Sequence, residues 1–435
     1  MVRIGPMASP SPTIDRRTLL AGLSALALPT AWPSAASPQG LPASLRLRVD
    51  SLTPRENGPA VEVWSFGQDR LLLGRGPVEN LRLRNALPGP VLLNWRGIDG
   101  ASALEPFGTG AVLSTGSETR LELPARHAGT FQCELIPIEE PSRLVRPLPV
   151  IIYEREPAVQ DGEEILLIEE WRLDSSGRAI APGENAEKST AFYTVNGKSS
   201  FETTARKHDR LRFRFINGSQ RTVLAIKLDA VELRVMAIDG QPAEPFPARN
   251  GAIVLPPGGR LDAFVDATAA SSILLHDGKD ARTIGKLSLS TQQPVRNSPR
   301  PPAPPLPSNG LPAQIELKGA QRIDLVLGQP NDWVNPTNLG SSSAPAFQAK
   351  AGRPVVLALT NRATVATVFH LHGHHFRLLD RLDDGWKPFW LDTLAIEPGQ
   401  TQRVAFLAEY PGRYLIEQVA TDWAAPRLVR WYSVQ

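Results

Sequence analysis

The chain has 435 residues and a formal net charge of +3, with 47 basic and 44 acidic residues interspersed along it. The sequence has no basic cluster interleaved with aromatic residues, which argues against nucleic acid as a partner. The 34 glycines and 41 prolines, without long helical periodicity, indicate many short strands joined by turns. We therefore predict an all-β protein of about three domains. Its single cysteine cannot form an internal disulfide.

The N-terminal segment predicts export. Arg16 and Arg17 precede a short apolar run that ends at Leu28, and small residues beginning at Ser34 form a suitable cleavage site. The apolar run has about ten residues, too few to span a bilayer as a helix. We interpret residues 1–36 as a twin-arginine signal that delivers a folded protein to the bacterial periplasm, with no transmembrane segment in the mature chain. The alternative is a chance arginine pair in a disordered basic tail.

Changes in composition predict the domain limits. A turn-rich patch from Glu154 to Gly162 separates a first domain from a second, and a proline-rich run from Asn297 to Pro312 favours an extended linker before the last domain. The polar stretch from Asp174 to Thr190 is interpreted as a mobile loop of the second domain. The predicted organisation is the signal at 1–36, a first domain at 40–155, a second at 160–292, the linker at 293–312 and a third domain at 313–435.

The segment FHLHGHHF, which begins at Phe369, holds four of the seven histidines. On a strand, His370, His372 and His374 would share one face while His375 points to the other. Imidazoles at this spacing can converge on a transition metal. A histidine-rich surface strand or a hydrogen-bonded core pair would give the same spacing. The three remaining histidines lie in predicted turns or at a strand end and are expected to face solvent: His127, His208 and His276.

Further motifs occur in a fixed order around this segment. They are NLRLRNALPGPVLLNWRG from Asn80, YTVNGK from Tyr193, DRLRFRFINGS from Asp209, AIDGQP from Ala237, LPPGGRLDAFV from Leu255, WKPFWLDT from Trp386, EPGQ from Glu397 and EYPGRYL from Glu409. In residue and order, the chain from roughly Gly58 onward resembles the multicopper oxidases, a laccase-like family. An ordered set is more specific than any single motif. The resemblance implies three cupredoxin-like Greek-key β-sandwich or barrel domains.

The resemblance also locates the copper ligands of that family. There, one cysteine and two histidines hold a type 1 copper, and four HxH pairs hold a three-copper cluster. Carried over residue by residue, only the third pair falls on histidines, His370 and His372. The other cluster positions fall on Asn94, Arg96, Glu134, Ile136, Glu417 and Val419, and the type 1 positions fall on Thr367, Gln418, Trp423 and Leu428. None of these residues offers an imidazole or a thiolate.

The missing ligands predict that no complete copper centre forms and that no cofactor is bound. The resemblance then implies a periplasmic scaffold or interaction protein whose partners are periplasmic or inner-membrane-associated proteins. It is similar to the copper-free cell-division protein of this scaffold, so a role in division or the envelope is implied. One alternative is a protein that binds a single copper or zinc ion through His370 and His372, with His374 or Glu417. Another is an active oxidase that receives its missing ligands from a second chain.

Two side chains that we expect to be buried carry further expectations. Cys133 lies far along the chain from the type 1 position, and we expect it to be a small apolar core residue. A buried guanidinium needs a carboxylate to offset its desolvation. We therefore expect Arg96 to pair with Glu417 or Glu134, beside His370 and His372, and so to tie the first and third domains together.

Overall fold

The polypeptide is almost entirely β. A computed structural model of the protein describes residues 43–106, 111–329, 332–339, 344–380 and 387–435. In these ranges, 29 strands form six sheets, and the helical elements are short 3-10 turns at Ser102–Leu104, Arg249–Gly251 and Pro336–Asn338. The predicted all-β class is confirmed. The described residues include no helix long and apolar enough to cross a membrane, and the predicted signal with Arg16 and Arg17 lies outside them.

Two four-stranded sheets form between residues 43 and 153. Their strands are β1 (Ala43–Leu52), β2 (Val61–Ser65), β3 (Leu71–Gly74), β4 (Glu79–Asn85), β5 (Val91–Arg96), β6 (Glu118–Leu123), β7 (Gly129–Pro137) and β8 (Leu148–Tyr153). The strand orders are β2-β1-β4-β6 and β3-β8-β7-β5. In β4, Leu81 and Leu83 alternate with exposed neighbours, because successive side chains of a strand point to opposite faces. These leucines help fill the first core between the sheets.

A second pair of sheets forms between residues 162 and 289. Its strands are β9 (Gly162–Leu173), β10 (Ala179–Ile180), β11 (Thr190–Val195), β12 (Phe201–Ala205), β13 (Arg210–Asn217), β14 (Leu224–Leu228), β15 (Arg234–Ile238), β16 (Gln241–Pro247), β17 (Ala252–Leu255), β18 (Arg260–Asp266), β19 (Ser271–His276) and β20 (Ala281–Leu289). One sheet has the order β10-β9-β13-β18-β15-β16, with β11 also on β9, and the other has the order β12-β20-β19-β14-β17. Phe213 and Phe215 of β13 stack in the second core between them.

A third pair of sheets forms between residues 321 and 434. Its strands are β21 (Gln321–Leu327), β22 (Phe347–Ala349), β23 (Pro354–Asn361), β24 (Thr367–Leu371), β25 (Arg377–Leu378), β26 (Thr393–Ile396), β27 (Thr401–Leu407), β28 (Gly412–Ala420) and β29 (Arg427–Val434). The orders are β21-β23-β27-β25 and β22-β29-β28-β24-β26. The third core is rich in aromatic rings, including Phe369, Phe376 and Tyr432. The histidine segment therefore starts on an inner strand, β24.

The proline-rich run lacks helices and strands and packs on the sheets. Residues 297–312 form no helix or strand. Leu306 is buried against Met236 and Phe264, and the buried Asn309 donates a hydrogen bond from Nδ2 to the carbonyl oxygen of Ala128 at 2.8 Å. This run therefore contacts both of the first two pairs of sheets. The domain limits inferred from composition, and the mobility of the polar loop, stay predictions.

Candidate functional site

Two strand pairs from distant parts of the chain converge on one buried polar cluster. Strand β5 pairs with β7, which sets Asn94 opposite Glu134, and β24 pairs with β28, which sets His370 opposite Glu417. These four side chains come from the first and third pairs of sheets and are all buried. We call the following residues the central cluster: Asn94, Arg96, Glu134, His370, His372, Glu417 and Arg427.

Glu417 joins the two halves of the central cluster. Its Oε1 accepts hydrogen bonds from Asn94 Nδ2 at 2.8 Å and from His372 Nε2 at 2.6 Å, and its Oε2 accepts one from Arg96 Nη2 at 2.9 Å. Burial alone would raise the pKa of this carboxyl, yet Arg96, His372 and Arg427 together hold it well below its usual range. Glu417 is thus an ionised carboxylate, and the predicted ion pair with Arg96 is confirmed.

A second guanidinium, which sequence reasoning missed, completes the ion-pair network. Arg427 Nη2 lies 2.8 Å from Glu134 Oε2, and Arg427 Nε lies 3.7 Å from Glu417 Oε2. Arg96 Nη2 is also 3.4 Å from Glu134 Oε2. Arg427 begins β29 and lies opposite Val419 in the register with β28, so its side chain reaches both carboxylates. Two guanidiniums therefore neutralise two buried glutamates.

The second pair of sheets also contacts the central cluster through a glycine turn. Gly258, in the LPPGGR motif, has a φ of +80°, a left-handed conformation that favours glycine. A Cβ atom there would collide with Nη1 of Arg96. The absence of a side chain thus lets the turn close over the guanidinium. Arg96 is therefore enclosed by all three pairs of sheets.

His372 is a buried cation rather than a free ligand. Its Nδ1 lies 3.1 Å from Glu105 Oε1, and its Nε2 lies 2.6 Å from Glu417 Oε1. Burial would lower the pKa of this imidazole, but Glu105 and Glu417 outweigh burial and raise the pKa to about 9. At neutral pH both ring nitrogens therefore carry protons, so a metal ion would have to displace one of these protons to bind His372.

His370 is the neutral imidazole of the pair. Its Nδ1 lies 2.6 Å from Thr393 Oγ1, whose own proton goes to Asp392 Oδ1 at 2.6 Å. Thr393 Oγ1 must then accept from the Nδ1–H, which leaves the lone pair on Nε2. Nε2 is buried without a hydrogen-bond partner, and burial lowers the pKa of this histidine well below its usual value. Nε2 of His370 is thus a free imidazole lone pair inside the central cluster.

The structure does not support the prediction that His374 shares this face. Strand β24 ends at Leu371, and Gly373 has a φ of +72°, so the alternation of a strand stops before His374. The His374 ring packs among aromatic rings, with Nδ1 2.7 Å from the Tyr432 hydroxyl and Nε2 accepting from the Tyr410 N–H at 3.2 Å. Both nitrogens are therefore engaged in the third core.

The residues at the type 1 positions make ordinary structural contacts. Gln418 Oε1 accepts from the Gly328 N–H at 2.7 Å, Thr367 Oγ1 donates to Asn361 Oδ1 at 3.0 Å, and Trp423 Nε1 donates to the Ala181 carbonyl at 3.0 Å. Leu428 is half-buried beside Gln418 in the β28–β29 register. The two apolar cluster positions, Ile136 and Val419, are buried. None of these six side chains supplies an imidazole or a thiolate, the strong ligands of copper sites.

Cys133 is an apolar core residue, as predicted. Its side chain is fully buried in the first core, opposite Trp95 of β5. Burial, with a smaller contribution from Glu134, raises the pKa of the thiol well above its usual value. A thiolate, the form that ligates metals, is therefore strongly disfavoured here.

Several motifs of the sequence build a separate buried ion-pair network. Arg260 in LPPGGR pairs with Asp392 in WKPFWLDT. Asp239 in AIDGQP accepts at Oδ2 from the N–H groups of Asp392 and Thr393, each at 3.2 Å. The AIDG and GGR motifs of the second pair of sheets thus bind the DT turn of the third pair through an ion pair and hydrogen bonds. These contacts fix the position of that turn, whose Thr393 hydroxyl in turn bonds His370 Nδ1.

The expectation for the remaining histidines is correct at one position and wrong at another. His276 is exposed and His208 is half-buried. His127 is buried, which contradicts the predicted solvent-facing turn, because the loop before β7 is covered by Asp99, Gln241 and His375. His127, Asp99 and His375 place three possible metal-ligand atoms within 4.8 Å of one another. Residue type and spacing gave no signal for this group, because its members come from three separate loops.

Comparisons with known proteins agree on one family. Two family models, each described as multicopper oxidase, match residues 164–273 and 314–432. The multicopper oxidase MmcO of Mycobacterium tuberculosis is 22% identical over 447 aligned residues, covering 86% of this chain and 84% of the relative. Laccase-1 of Thanatephorus cucumeris is 25% identical over 138 residues, covering 27% of this chain and 24% of the relative.

Solved structures show the same fold. A multi-copper oxidase from Pseudomonas thermotolerans has a TM-score of 0.76 at 21% identity, covering 91% of this chain and 99% of its own. Lac15 from a marine microbial metagenome has a TM-score of 0.74 at 22% identity, covering 91% of this chain and 100% of its own. These likenesses confirm the cupredoxin-like fold, and the two family models together match just over half of the chain. The chain therefore belongs to the multicopper oxidase family.

Proposed function

We propose that this protein is an exported family member that lacks a complete copper centre and works as a periplasmic scaffold or interaction protein in the cell envelope. The observation that carries the proposal is the central cluster. Its ion pairs already join the first and third pairs of sheets, with Arg96 and Glu417 in contact across more than 300 residues of sequence. A role in cell division is one form that such a function would take.

The side chains of the central cluster do not fit three copper ions. Each copper of such a cluster needs imidazole ligands with free lone pairs. Among the cluster residues, only His370 Nε2 offers one, since His372 has both nitrogens bonded to carboxylates. Arg96 and Arg427 add fixed positive charge where cations would have to bind. The type 1 position has Gln418 in place of a thiolate, so an electron path of the family's kind is missing.

A single copper or zinc ion on the histidine strand is a weaker candidate. His370 could offer Nε2, but His374 is turned into the aromatic core and His372 is held between two glutamates. An ion that bound His370 together with His372 would have to displace the proton between His372 and Glu417. The contacts therefore favour a scaffold over a metal carrier at this strand.

Metal analysis and an oxidase assay test the proposal directly. We expect the protein isolated after export to contain no type 1 or cluster copper, and to leave laccase-type phenols unoxidised even with added copper. The physical reason is that Gln418 cannot take up or pass on an electron. A copper-dependent turnover that is abolished by His372→Ala would overturn the proposal.

An interaction assay tests the scaffold role itself. Cross-linking in living cells should trap specific envelope proteins, and the same products should form with His370→Gln, which removes the free imidazole of the central cluster. If the cross-linked products depend on His370 or on added copper, the protein acts through a metal and the scaffold role is wrong. If no specific product forms, the interaction role is also wrong.

A further inference from the structure

A group of metal-ligand atoms lies outside the central cluster. Asp99 Oδ1 is 2.8 Å from His375 Nδ1, and Asp99 Oδ2 is 3.2 Å from His127 Nδ1. All three side chains are buried, with His127 the most accessible at 7% exposed. Zinc ligands bind at about 2.0–2.2 Å in a tetrahedron, which separates them from one another by about 3.4 Å. Small outward shifts would bring these atoms to that spacing.

The surrounding hydrogen bonds make His127 Nδ1 an acceptor. Two hydrogen bonds to the backbone of Ala128 fix the side chain of Asn309. The Ala128 N–H donates to Asn309 Oδ1 at 2.9 Å, and Asn309 Nδ2 donates to the Ala128 carbonyl oxygen at 2.8 Å. Asn309 Nδ2 in turn donates to Gln241 Oε1 at 2.9 Å. The Gln241 amide nitrogen must therefore face His127 Nδ1, at 3.0 Å, and His375 Nδ1, at 3.4 Å. An N–H donor facing His127 Nδ1 makes that nitrogen an acceptor.

Asp99 consequently has an unpartnered oxygen. Because His127 Nδ1 already accepts from Gln241, it has no proton for Asp99, and Asp99 Oδ2 is buried without a hydrogen-bond donor. Buried carboxylate oxygens without a partner are costly. A positive ion placed between Asp99 Oδ2 and His127 Nδ1 would satisfy both atoms.

His375 is oriented as a metal-ligating histidine would be. Its Nε2 lies 2.8 Å from the carbonyl oxygen of Asp239, so the Nε2–H donates there and Nδ1 faces Asp99. Histidine ligands usually donate the second ring N–H to a carbonyl or carboxylate, which fixes the ring. In the metal-free protein, a proton between His375 Nδ1 and Asp99 Oδ1 would occupy the position of the ion. Metal binding would exchange that proton for the cation.

We propose that Asp99, His127 and His375 form a structural site for one divalent cation of the zinc class. Two imidazole nitrogens and one carboxylate oxygen suit zinc and its borderline neighbours. The fourth ligand is a water or Gln241 Oε1, after rotation of that amide away from Asn309. Asp99 and His127 come from the first pair of sheets and His375 from the third, while Asp239 and Gln241 belong to the second. The ion ties all three together at a point separate from the central cluster.

Zinc titration of the purified protein, freed of metal with a chelator, tests the site. We expect one zinc ion per chain by calorimetry and by metal analysis after gel filtration, with a rise in the melting temperature. His127→Gln should lose both the bound zinc and the rise, because it removes one ligand at the most accessible corner of the site. Circular dichroism checks that the variant is folded.

Two matched variants separate this site from other histidines. His276→Gln removes an exposed histidine, and His370→Gln removes the free lone pair of the central cluster; both should keep the zinc ion and the rise in melting temperature. Zinc retained by His127→Gln, or lost from His370→Gln, would overturn the proposal, as would the absence of zinc binding by the unmodified protein. If His127→Gln does not fold, cobalt(II) added to the unmodified protein decides: intense tetrahedral visible bands support the site, and a weak octahedral spectrum refutes it.

Discussion

Replacing Arg96 by methionine should destabilise the protein strongly. The substitution keeps much of the volume of the side chain and removes the charge that pairs with Glu417 at 2.9 Å and with Glu134 at 3.4 Å. Breaking a buried ion pair by removing one partner costs about 3–5 kcal/mol, because the other charge is left buried. Arg427 and His372 still contact Glu417, so we expect the lower end, about 3 kcal/mol.

The same substitution should lower the melting temperature measurably. For unfolding units of about 150–250 residues, each kcal/mol shifts the midpoint by about 2–4 °C, so the expected fall is about 6–12 °C. Arg82→Met is the matched control. Arg82 pairs with Glu118 at 3.5 Å on the exposed face of the first pair of sheets, where such a pair contributes about 0–1 kcal/mol. Differential scanning calorimetry of both variants measures the contrast.

A double variant identifies the cause of the loss. Adding Glu417→Gln to Arg96→Met removes the negative charge that is in excess after the first change, so part of the lost stability should return. Equal melting temperatures for Arg96→Met and the unmodified protein would show that no buried pair contributes to stability. A loss of stability of the same size in Arg82→Met would show that burial does not account for the contribution of the Arg96–Glu417 pair.

Three further outcomes are expected. Replacing Arg16 and Arg17 by lysine should trap the precursor in the cytoplasm, because the translocation receptor reads the paired guanidiniums; normal delivery in cell fractionation would refute the signal. His372 has a pKa raised from 6.5 to about 9. Its stabilising contribution is therefore complete below pH 6.5 and is lost as the pH rises through about 9. The melting temperature of the unmodified protein should fall over this pH range, and His372→Gln should reduce that fall. Gln418→Cys should give no blue copper colour, because the other type 1 positions, Thr367, Trp423 and Leu428, supply no imidazole. A strong thiolate-to-copper absorption band would contradict this reasoning.

Much of the fold was predictable because it depends on local patterns. Alternating apolar residues, as in β4, and turns such as PG and NG determine strands and their ends. The absence of helices and strands in the proline-rich run was predictable for the same reason. Its packing was not, because the burial of Leu306 against Met236 depends on which surfaces meet in three dimensions.

One contact of the central cluster was predictable. The motif located Arg96, and the need to neutralise a buried guanidinium predicted a carboxylate partner. Arg96 was expected to need a carboxylate, and Glu417 is that partner. Arg427 was missed because it enters through the β28–β29 register, which the sequence does not give. His374 was misplaced because the positive φ of Gly373 ends the strand alternation. His127 was misplaced because its cover comes from residues far along the chain.

Charge balance disfavours a metal ion within the central cluster. Arg96, Arg427 and the protonated His372 face Glu105, Glu134 and Glu417, so three positive groups meet three negative ones in a buried space. A divalent ion added to this neutral set would leave excess charge where little water can screen it. Replacing one of these charged residues by histidine would leave its buried partner unpaired. Arg96, Glu134 and Glu417 therefore depend on one another, because removing any one of them would leave a buried charge without its partner.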